Sequence, residues 1–262
     1  MDKHARRNAL LELLGSTEQL SVEEAAQRLD VSPATIRRDF DELSQQQLLV
    51  RTRGGARVSA VTYELPLRYK AAARAEEKSR IAAAAAALVE PGMMVGLNGG
   101  TTTTEVARAI ALRLGQLPGV PDTDAVTLVT NALNIAHELT IRPDVKVVLT
   151  GGVARARSYE LVGPLAPLVL GELSLDVTLL GVDGIDARQG ASARNEAEAG
   201  INKILVERAE RVIVVADATK VGQRAFARIC GLDAVDTLVT DRSATDAQLE
   251  PFEAAGVKVI RA

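Results

Sequence analysis

The sequence predicts an α/β protein in two parts: a winged helix-turn-helix over residues 1–58 and a mostly parallel α/β domain over 76–262, with 59–75 as a linker. Three observations support this. Residues 21–58 present a helix cap, a helix, a turn, a second helix and a glycine-centred pair of β-like arms, in that order. From residue 76 onward, short Val- and Leu-rich runs alternate with helical stretches to the end of the chain. A length of 262 residues at 47% hydrophobic and 25% charged is globular and exceeds one typical domain.

In the N-terminal part, RRNALLELLG predicts a helix closed by Gly15. SVEE at 21–24 has the form of a capping box, in which Ser21 and Glu24 each satisfy the other's end of a second helix over 22–29. After Asp30-Val31, Ser32 is a candidate N-cap and Pro33 occupies the first helical position, opening a third helix through ATIRRDFDELSQQ. Ile36, Phe40 and Leu43 recur at i, i+4, i+7 and face the core, which leaves Thr35, Arg37, Arg38 and Asp41 on other faces. Cations in the first turns of a helix oppose its macrodipole, so Arg37 and Arg38 point to an external anion, as on a DNA recognition helix.

LLVRTRGGARV, residues 48–58, reads as two β arms about Gly54-Gly55, with Arg51, Arg53 and Arg57 in the hairpin. Arginines at such a tip suit phosphate or minor-groove contact, although a solvated polar hairpin is the plainer reading. The chain as a whole carries a net charge of −3, but residues 31–60 hold five arginines against three acids, so the basic charge is local. Double-stranded DNA is the expected partner of this part. The joint SAVTYELPLRYKAAARA contains Pro66 and no apolar periodicity before Ala71, as a connector would.

In the larger part the pattern predicts helices at 76–89, 103–114, 132–140, 165–172, 195–209 and 246–255. Strands are predicted at 93–97, 126–130, 145–149, 176–182, 211–216, 236–240 and 257–260. Such alternation describes a mostly parallel sheet covered on both faces, whose ligands bind at the carboxyl ends of strands. The first of those ends reads LNGGTTTT. Gly99 and Gly100 let the backbone approach an anion, the following helix start presents free N–H groups, and the hydroxyls of Thr101, Thr102, Thr103 and Thr104 add donors. A tight strand-to-helix turn would look the same in isolation. Asn131 ends a second strand, and Gly151-Gly152 with Arg155 and Arg157 follows a third, which favours an anionic ligand.

Asp183 and Asp186 in GVDGID, and Asp217 and Lys220 in DATK, are groups of the kind that grip sugar hydroxyls or act on them as acid and base; Asp186 reads equally as a turn residue. Glu198 and Lys203, on the NEAEAGINKI helix, compete with the reading of exposed helix charges. There is no GKS or GKT P-loop and no GxGxxG fingerprint, so a nucleotide is not indicated and no cofactor is expected. A lone cysteine, Cys230, excludes an internal disulfide and offers no CxxC zinc pair, and the longest uncharged apolar run, IAAAAAALV, is far short of a membrane span. The chain is expected to be cytoplasmic, metal-free and without a membrane partner.

VSPATIRRDFDELSQQQLLVRTRGGA resembles the winged helix of DeoR-family bacterial transcription regulators, with a TIRRDL-like recognition helix and an RxxGGA-like wing. The resemblance assigns DNA contact to Ser32, Thr35, Arg37, Arg38, Arg51, Arg53, Gly54 and Gly55. It continues through GGTTT, TN, GGxxRxxS, GxDGI, a Glu-Ala helix and DxxK, over nearly the whole of 76–241. It implies a fold like that of ribose-phosphate isomerase or glucosamine-6-phosphate deaminase that senses a phosphorylated sugar or polyol, with Asn98 included in the site. Asn98 replaces a frequent Asp, and Asn202 falls where Lys is common.

The alternative is a sugar-phosphate isomerase or deaminase on the same fold. Deaminases of this fold place a catalytic His after Asp-Gly, whereas Asp183-Gly184 is followed by Ile185 and the only histidines are His4 and His137. A regulator, expected to repress carbohydrate-metabolism genes as a homodimer or homotetramer and to have no catalytic residues, is the simpler reading.

Overall fold

The computed structural model describes residues 3–17, 19–45, 48–57, 74–120 and 123–262, and the chain divides into two compact units, 1–74 and 75–262. The expected linker at 59–75 lies, through residue 73, outside the described residues.

The smaller unit runs α1 (Lys3–Thr17), β1 (Gln19–Ser21), α2 (Val22–Leu29), α3 (Pro33–Gln45), β2 (Val50–Thr52) and β3 (Gly55–Arg57). The first helix continues past Gly15, because the chain turns only after the Thr17 hydroxyl has donated back to the Leu13 carbonyl at 2.8 Å. The Ser21 hydroxyl accepts from the Glu24 amide at 3.1 Å, while the Glu24 carboxylate pairs with Arg28 at 2.8 Å, so half of the expected capping box forms. Asp30 closes α2 in the left-handed region, with φ of 51°. As the spacing requires, Ile36, Phe40 and Leu43 are wholly buried, against Leu10, Leu14, Leu20 and Val22.

The wing differs from its sequence reading in two ways. β1, three residues and too short to stand out in the sequence, adds to the hairpin, giving the order β1-β3-β2. Thr52 pairs with Gly55, so the turn is Arg53-Gly54 rather than Gly54-Gly55, and of those two glycines only Gly54 has a positive φ, 87°. Gly55 is required by close approach instead: a Cβ there would lie 2.3 Å from the Leu20 carbonyl oxygen.

The larger unit is built on seven strands, β4 (Met94–Leu97), β5 (Val126–Thr130), β6 (Val145–Leu149), β9 (Leu175–Gly181), β12 (Ala209–Val215), β14 (Thr237–Thr240) and β15 (Lys258–Arg261). Their order is β15-β14-β12-β9-β4-β5-β6, and every pairing is parallel. Successive residues of β12 show the two-faced burial of such a sheet. Ile213 and Val215 join a core with α4 (Ala75–Ala86), α5 (Thr101–Leu114) and α6 (Leu133–Leu139), while Val212 and Val214 face α8 (Glu196–Glu207) and α9 (Asp246–Ala254). α7 (Ala166–Gly171) packs with α8 around Leu170 and Leu205.

Five short strands escape the alternation: β7 (Val153–Ala154) pairs with β8 (Leu161–Val162), and β10 (Gly184–Asp186), β11 (Gly190–Ala193) and β13 (Ala227–Cys230) form a small sheet in the order β10-β11-β13. The chain leaves β4 toward β5 and β6 on one side, then returns to place β9 and β12 on the other. Between β4 and β9 the order reverses, and connections diverge there to leave a crevice at the carboxyl ends.

Asp39, in the middle of α3, is 2% exposed and is held by Arg6 at 2.6 Å and Arg7 at 3.0 Å from α1. Removing one partner of a buried ion pair leaves the other charge uncompensated. Asp39→Ala is therefore expected to destabilise the N-terminal unit by about 3 kcal/mol, measured by urea denaturation; a midpoint within error of wild type would refute this role.

Candidate effector site and nucleic-acid interface

On α3, Ser32 accepts from the Thr35 amide at 3.2 Å, and the two hydroxyls lie 2.9 Å apart, so the predicted N-cap forms and both side chains sit at the exposed helix start. Arg37 and Arg38 are exposed; Arg37 lies 3.7 Å from Glu23, a surface pair of little strength, and Arg38 has no ion pair among the described residues. Arg53 is exposed at the hairpin turn. Arg51 is engaged within the chain. It pairs with Asp41 at 2.9 Å, donates to the Gly55 carbonyl at 3.0 Å and lies 5.5 Å from the centroid of Phe40, which ties the wing to α3. Arg37, Arg38 and Arg53 thus present exposed guanidinium groups on α3 and the hairpin, and Arg51 holds those two supports together.

In the larger unit Asn98 and the residues Gly99 to Thr104 follow β4, and Asp183 follows β9, on the two sides of the β4–β9 crevice. Asn98 spans it: its Nδ2 donates to the Gly181 carbonyl at 2.9 Å and its Oδ1 accepts from the Gly181 amide at 2.8 Å. Both ends of this amide, 2% exposed, are therefore used structurally, and an Asp could not make the first bond. Asn98, expected as an effector contact, is a strand clamp.

The four threonines divide. Thr103 and Thr104 turn their hydroxyls back to the Gly100 carbonyl, at 3.2 and 2.6 Å, and Thr104 also accepts from Asn134 at 2.8 Å. Thr101 and Thr102 are half-buried, and their hydroxyls have no hydrogen-bond partner among the described residues. Gly100, with φ of 147°, provides no side-chain cap, and the first bonded amide is that of Thr104, to Gly100. The N-terminus of this 14-residue helix thus presents free amides and two free hydroxyls at one place. By contrast, Asn195 caps α8 by accepting from the amides of Ala197 and Glu198.

The loop between β7 and β8 folds over the end of β5. There Glu160, absent from the sequence reading, is 4% exposed and its Oε2 accepts from Asn131 Nδ2 at 3.2 Å. A Cβ on Gly99 would lie 2.3 Å from the Glu160 Cγ, so this glycine is what admits the glutamate. Burial first, then the charge of Glu198, pushes the Glu160 carboxyl up to about 8. Arg155, on the same loop, donates to the Glu198 carboxylate at 2.9 Å, bringing α8 to the cluster. The only sequence trace of Glu160 is an acid immediately before the apolar pair Leu161-Val162.

Gly151 and Gly152 both have positive φ, 74° and 128°, and a Cβ on Gly152 would lie 2.7 Å from the Val162 carbonyl; they serve the chain's turn into the β7–β8 hairpin. Asp183 accepts from the Arg194 amide at 2.9 Å and faces Glu160. Asp186 is a turn residue: it accepts from the amides of Arg188 and Gln189, both at 3.0 Å, and pairs with Arg224 at 3.1 Å; burial alone would raise its carboxyl, but the Arg188 amide, then Arg224 and the Gln189 amide, together hold it low. Asp217 caps the single 3-10 turn Ala218–Lys220 by accepting from the Thr219 amide, and Lys220 is half-buried at the end of that turn. No side-chain bond joins Asp217 to the Glu160 cluster among the described residues.

Family models match both units: a DeoR-like helix-turn-helix domain over residues 6–62 and a DeoR C-terminal sensor domain over 73–242. The chain belongs to the DeoR family. It is 36% identical over 256 residues to the HTH-type transcriptional regulator GlpR of Haloferax volcanii, covering 97% of this chain and 96% of that one. To the glycerol-3-phosphate regulon repressor of Escherichia coli K12 it is 30% identical over 241 residues, 92% of each. Ribose 5-phosphate isomerase A of Methanocaldococcus jannaschii superposes with a TM-score of 0.41 at 18% identity, covering 56% of this chain and 55% of that one. This DeoR-family chain is a DNA-binding transcriptional regulator with a sensor domain, not an enzyme. No helix among the described residues is long and apolar enough to cross a membrane.

Because Asn98 donates as well as accepts, Asn98→Asp is expected to cost this DeoR-family sensor domain about 1–3 kcal/mol by placing a carboxylate against the Gly181 carbonyl. Thermal unfolding checks it, and an unchanged melting temperature would exclude the clamp.

Proposed function

We propose that the protein is a repressor of carbohydrate-metabolism genes whose operator affinity is modulated by a phosphorylated sugar or polyol. The observation that carries this reading is the uncapped start of α5, where free amides and the Thr101 and Thr102 hydroxyls converge beside the β4–β9 crevice. A tetrahedral anion with several oxygens satisfies more of these donors than a neutral ligand does. The relatives support the class of effector and of target, since their names include a glycerol-3-phosphate regulon repressor and a putative aga operon transcriptional repressor. Thr101, Thr102, Gly99 and Gly100 hold the phosphate, while Asn131, Arg155, Asp183 and Glu198, with Lys220 and Asp217 at the end of β12, surround the rest. Arg37 and Arg38 meet bases and phosphates of the operator, and Arg53 meets backbone phosphate.

The active species is a cytoplasmic homodimer or homotetramer, since paired recognition helices read repeated half-sites about 34 Å apart. The sensor's change of state reaches the DNA-binding unit through a change of domain or subunit arrangement. A hundredfold change of operator affinity needs a coupling of roughly 2.7 kcal/mol, within the usual range.

Two sets of substitutions test the halves separately. Arg37→Ala with Arg38→Ala is expected to abolish specific operator binding in a gel-shift assay of folded protein, each lost base contact carrying roughly 1–3 kcal/mol. Undiminished affinity would sink the assignment. Thr102→Ala should leave operator binding by the free protein within about twofold of wild type and weaken the response to the effector at least tenfold, the loss of one hydrogen bond to a charged group being about 1.5–3 kcal/mol. A wild-type response would place the phosphate elsewhere.

A further inference from the structure

Glu160 lies where an anion-binding loop would least tolerate a negative charge. Its Oε1 comes within 2.5 Å of the place a Gly99 Cβ would occupy, so the carboxyl rests directly on the backbone of the cradle. The groups facing it are Asn131 at the end of β5, Arg155 on its own loop, Glu198 on α8 and Asp183 after β9: two carboxylates and one guanidinium. As an ionised group it would repel both its neighbours and an arriving phosphate.

Asn131 provides a second, independent sign of a ligand. The residue is 0% exposed, and its Nδ2 donates to Glu160 Oε2 and to the Leu161 carbonyl, both at 3.2 Å. The carbonyl can only accept, which fixes the orientation of the amide. Asn131 Oδ1 is then a buried acceptor with no partner among the described residues. An unmet buried acceptor is costly, and a ligand hydroxyl would satisfy it.

We propose that Glu160 is an effector-binding residue that acts in its protonated form: the carboxyl O–H on Oε1 donates to the effector's anionic group, and Asn131 Oδ1 accepts from a neighbouring hydroxyl. The proton belongs on Oε1 because Oε2 already accepts from Asn131. The effector is thereby defined as a phosphate ester bearing a hydroxyl on a carbon close to the ester. This inference rests on the phosphate reading of Gly99 to Thr102 and adds to it a ligand contact and a proton.

The sign of the pH effect follows. Burial and the Glu198 charge raise the carboxyl to about 8, so the donating form predominates below that pH and is lost as the pH rises through it. Only the protonated form binds the anion, so affinity should fall about tenfold between pH 7 and pH 9. Glu160→Gln keeps a donor without a titrating proton, and its affinity should be nearly constant over the same interval.

Isothermal titration of the full chain with inorganic phosphate and with glycerol 3-phosphate, at pH 7, 8 and 9, tests this in wild type, Glu160→Gln and Thr102→Ala. The expected result is the tenfold fall in wild type, a flat profile in Glu160→Gln and tighter binding of glycerol 3-phosphate than of inorganic phosphate. The ionisation of the phosphate itself is common to both proteins, and both profiles are read after correction for it. A flat wild-type profile, an equally steep Glu160→Gln profile, or loss of binding at pH 7 by folded Glu160→Gln would overturn the role of Glu160. In each of those cases probe binding that Thr102→Ala abolishes would leave the phosphate reading standing. If neither probe binds wild type at pH 7, the phosphate reading fails and this inference falls with it.

Discussion

Two hydrogen bonds from one amide, Asn98 to both the N–H and the C=O of Gly181, hold together the strands between which the order of the seven-stranded sheet reverses. Their importance follows from parallelism. Because every strand points the same way, the loops after β4, β5, β6, β9 and β12 all emerge at one edge, and the only place where consecutive connections diverge is between β4 and β9. A clamp at that point keeps the crevice at a set width while leaving its walls free to carry chemistry. Gly181 is part of the same fit: a Cβ there would come within 3.0 Å of the Thr103 side chain in the first turn of α5.

Around the clamp, polar groups of similar type have opposite fates. Thr103 and Thr104 close the first turn of α5 on Gly100, whereas Thr101 and Thr102 stay open. The reason is geometric. Residues three and four positions into a helix reach back to the carbonyl before it, and those at the first two positions face outward from the end. Glu160 enters by a different route, from a hairpin loop laid across Asn131 and Gly99, and its burial beside Glu198 gives it a proton affinity unlike that of an exposed glutamate.

The smaller unit follows the same division between holding and presenting. Asp39 is enclosed by Arg6 and Arg7, and Arg51 joins Asp41, Phe40 and Gly55, so α1, α3 and the wing behave as one support. Arg37, Arg38 and Arg53 stand at the surface, and of the three only Arg37 has an ion pair among the described residues, a weak one with Glu23. In TIRRDF the arginines present and the aspartate holds, although all three are charged and adjacent.

Periodicity and local capping were enough, from the sequence alone, to determine the helix-turn-helix, the parallel sheet and the edge at which ligand groups collect. These depend on residues within one or two turns of each other: Ser21 with Glu24, Ser32 with Thr35, the i, i+4, i+7 spacing of Ile36, Phe40 and Leu43, and the alternating Val and Leu runs. Most predicted elements match to within a few residues, and the misses are strands of two to four residues, whose pairing is set by partners elsewhere. What only the tertiary structure decided is the role of each polar residue once the chain has closed. Asn98 became a clamp because it reaches Gly181, 83 positions away, Asp186 gained an ion pair because Arg224 returns to it, and Glu160 joined the site because Gly99 leaves space for it. A side chain's hydrogen-bond partner and its degree of burial are properties of long-range contact, and no local pattern encodes them.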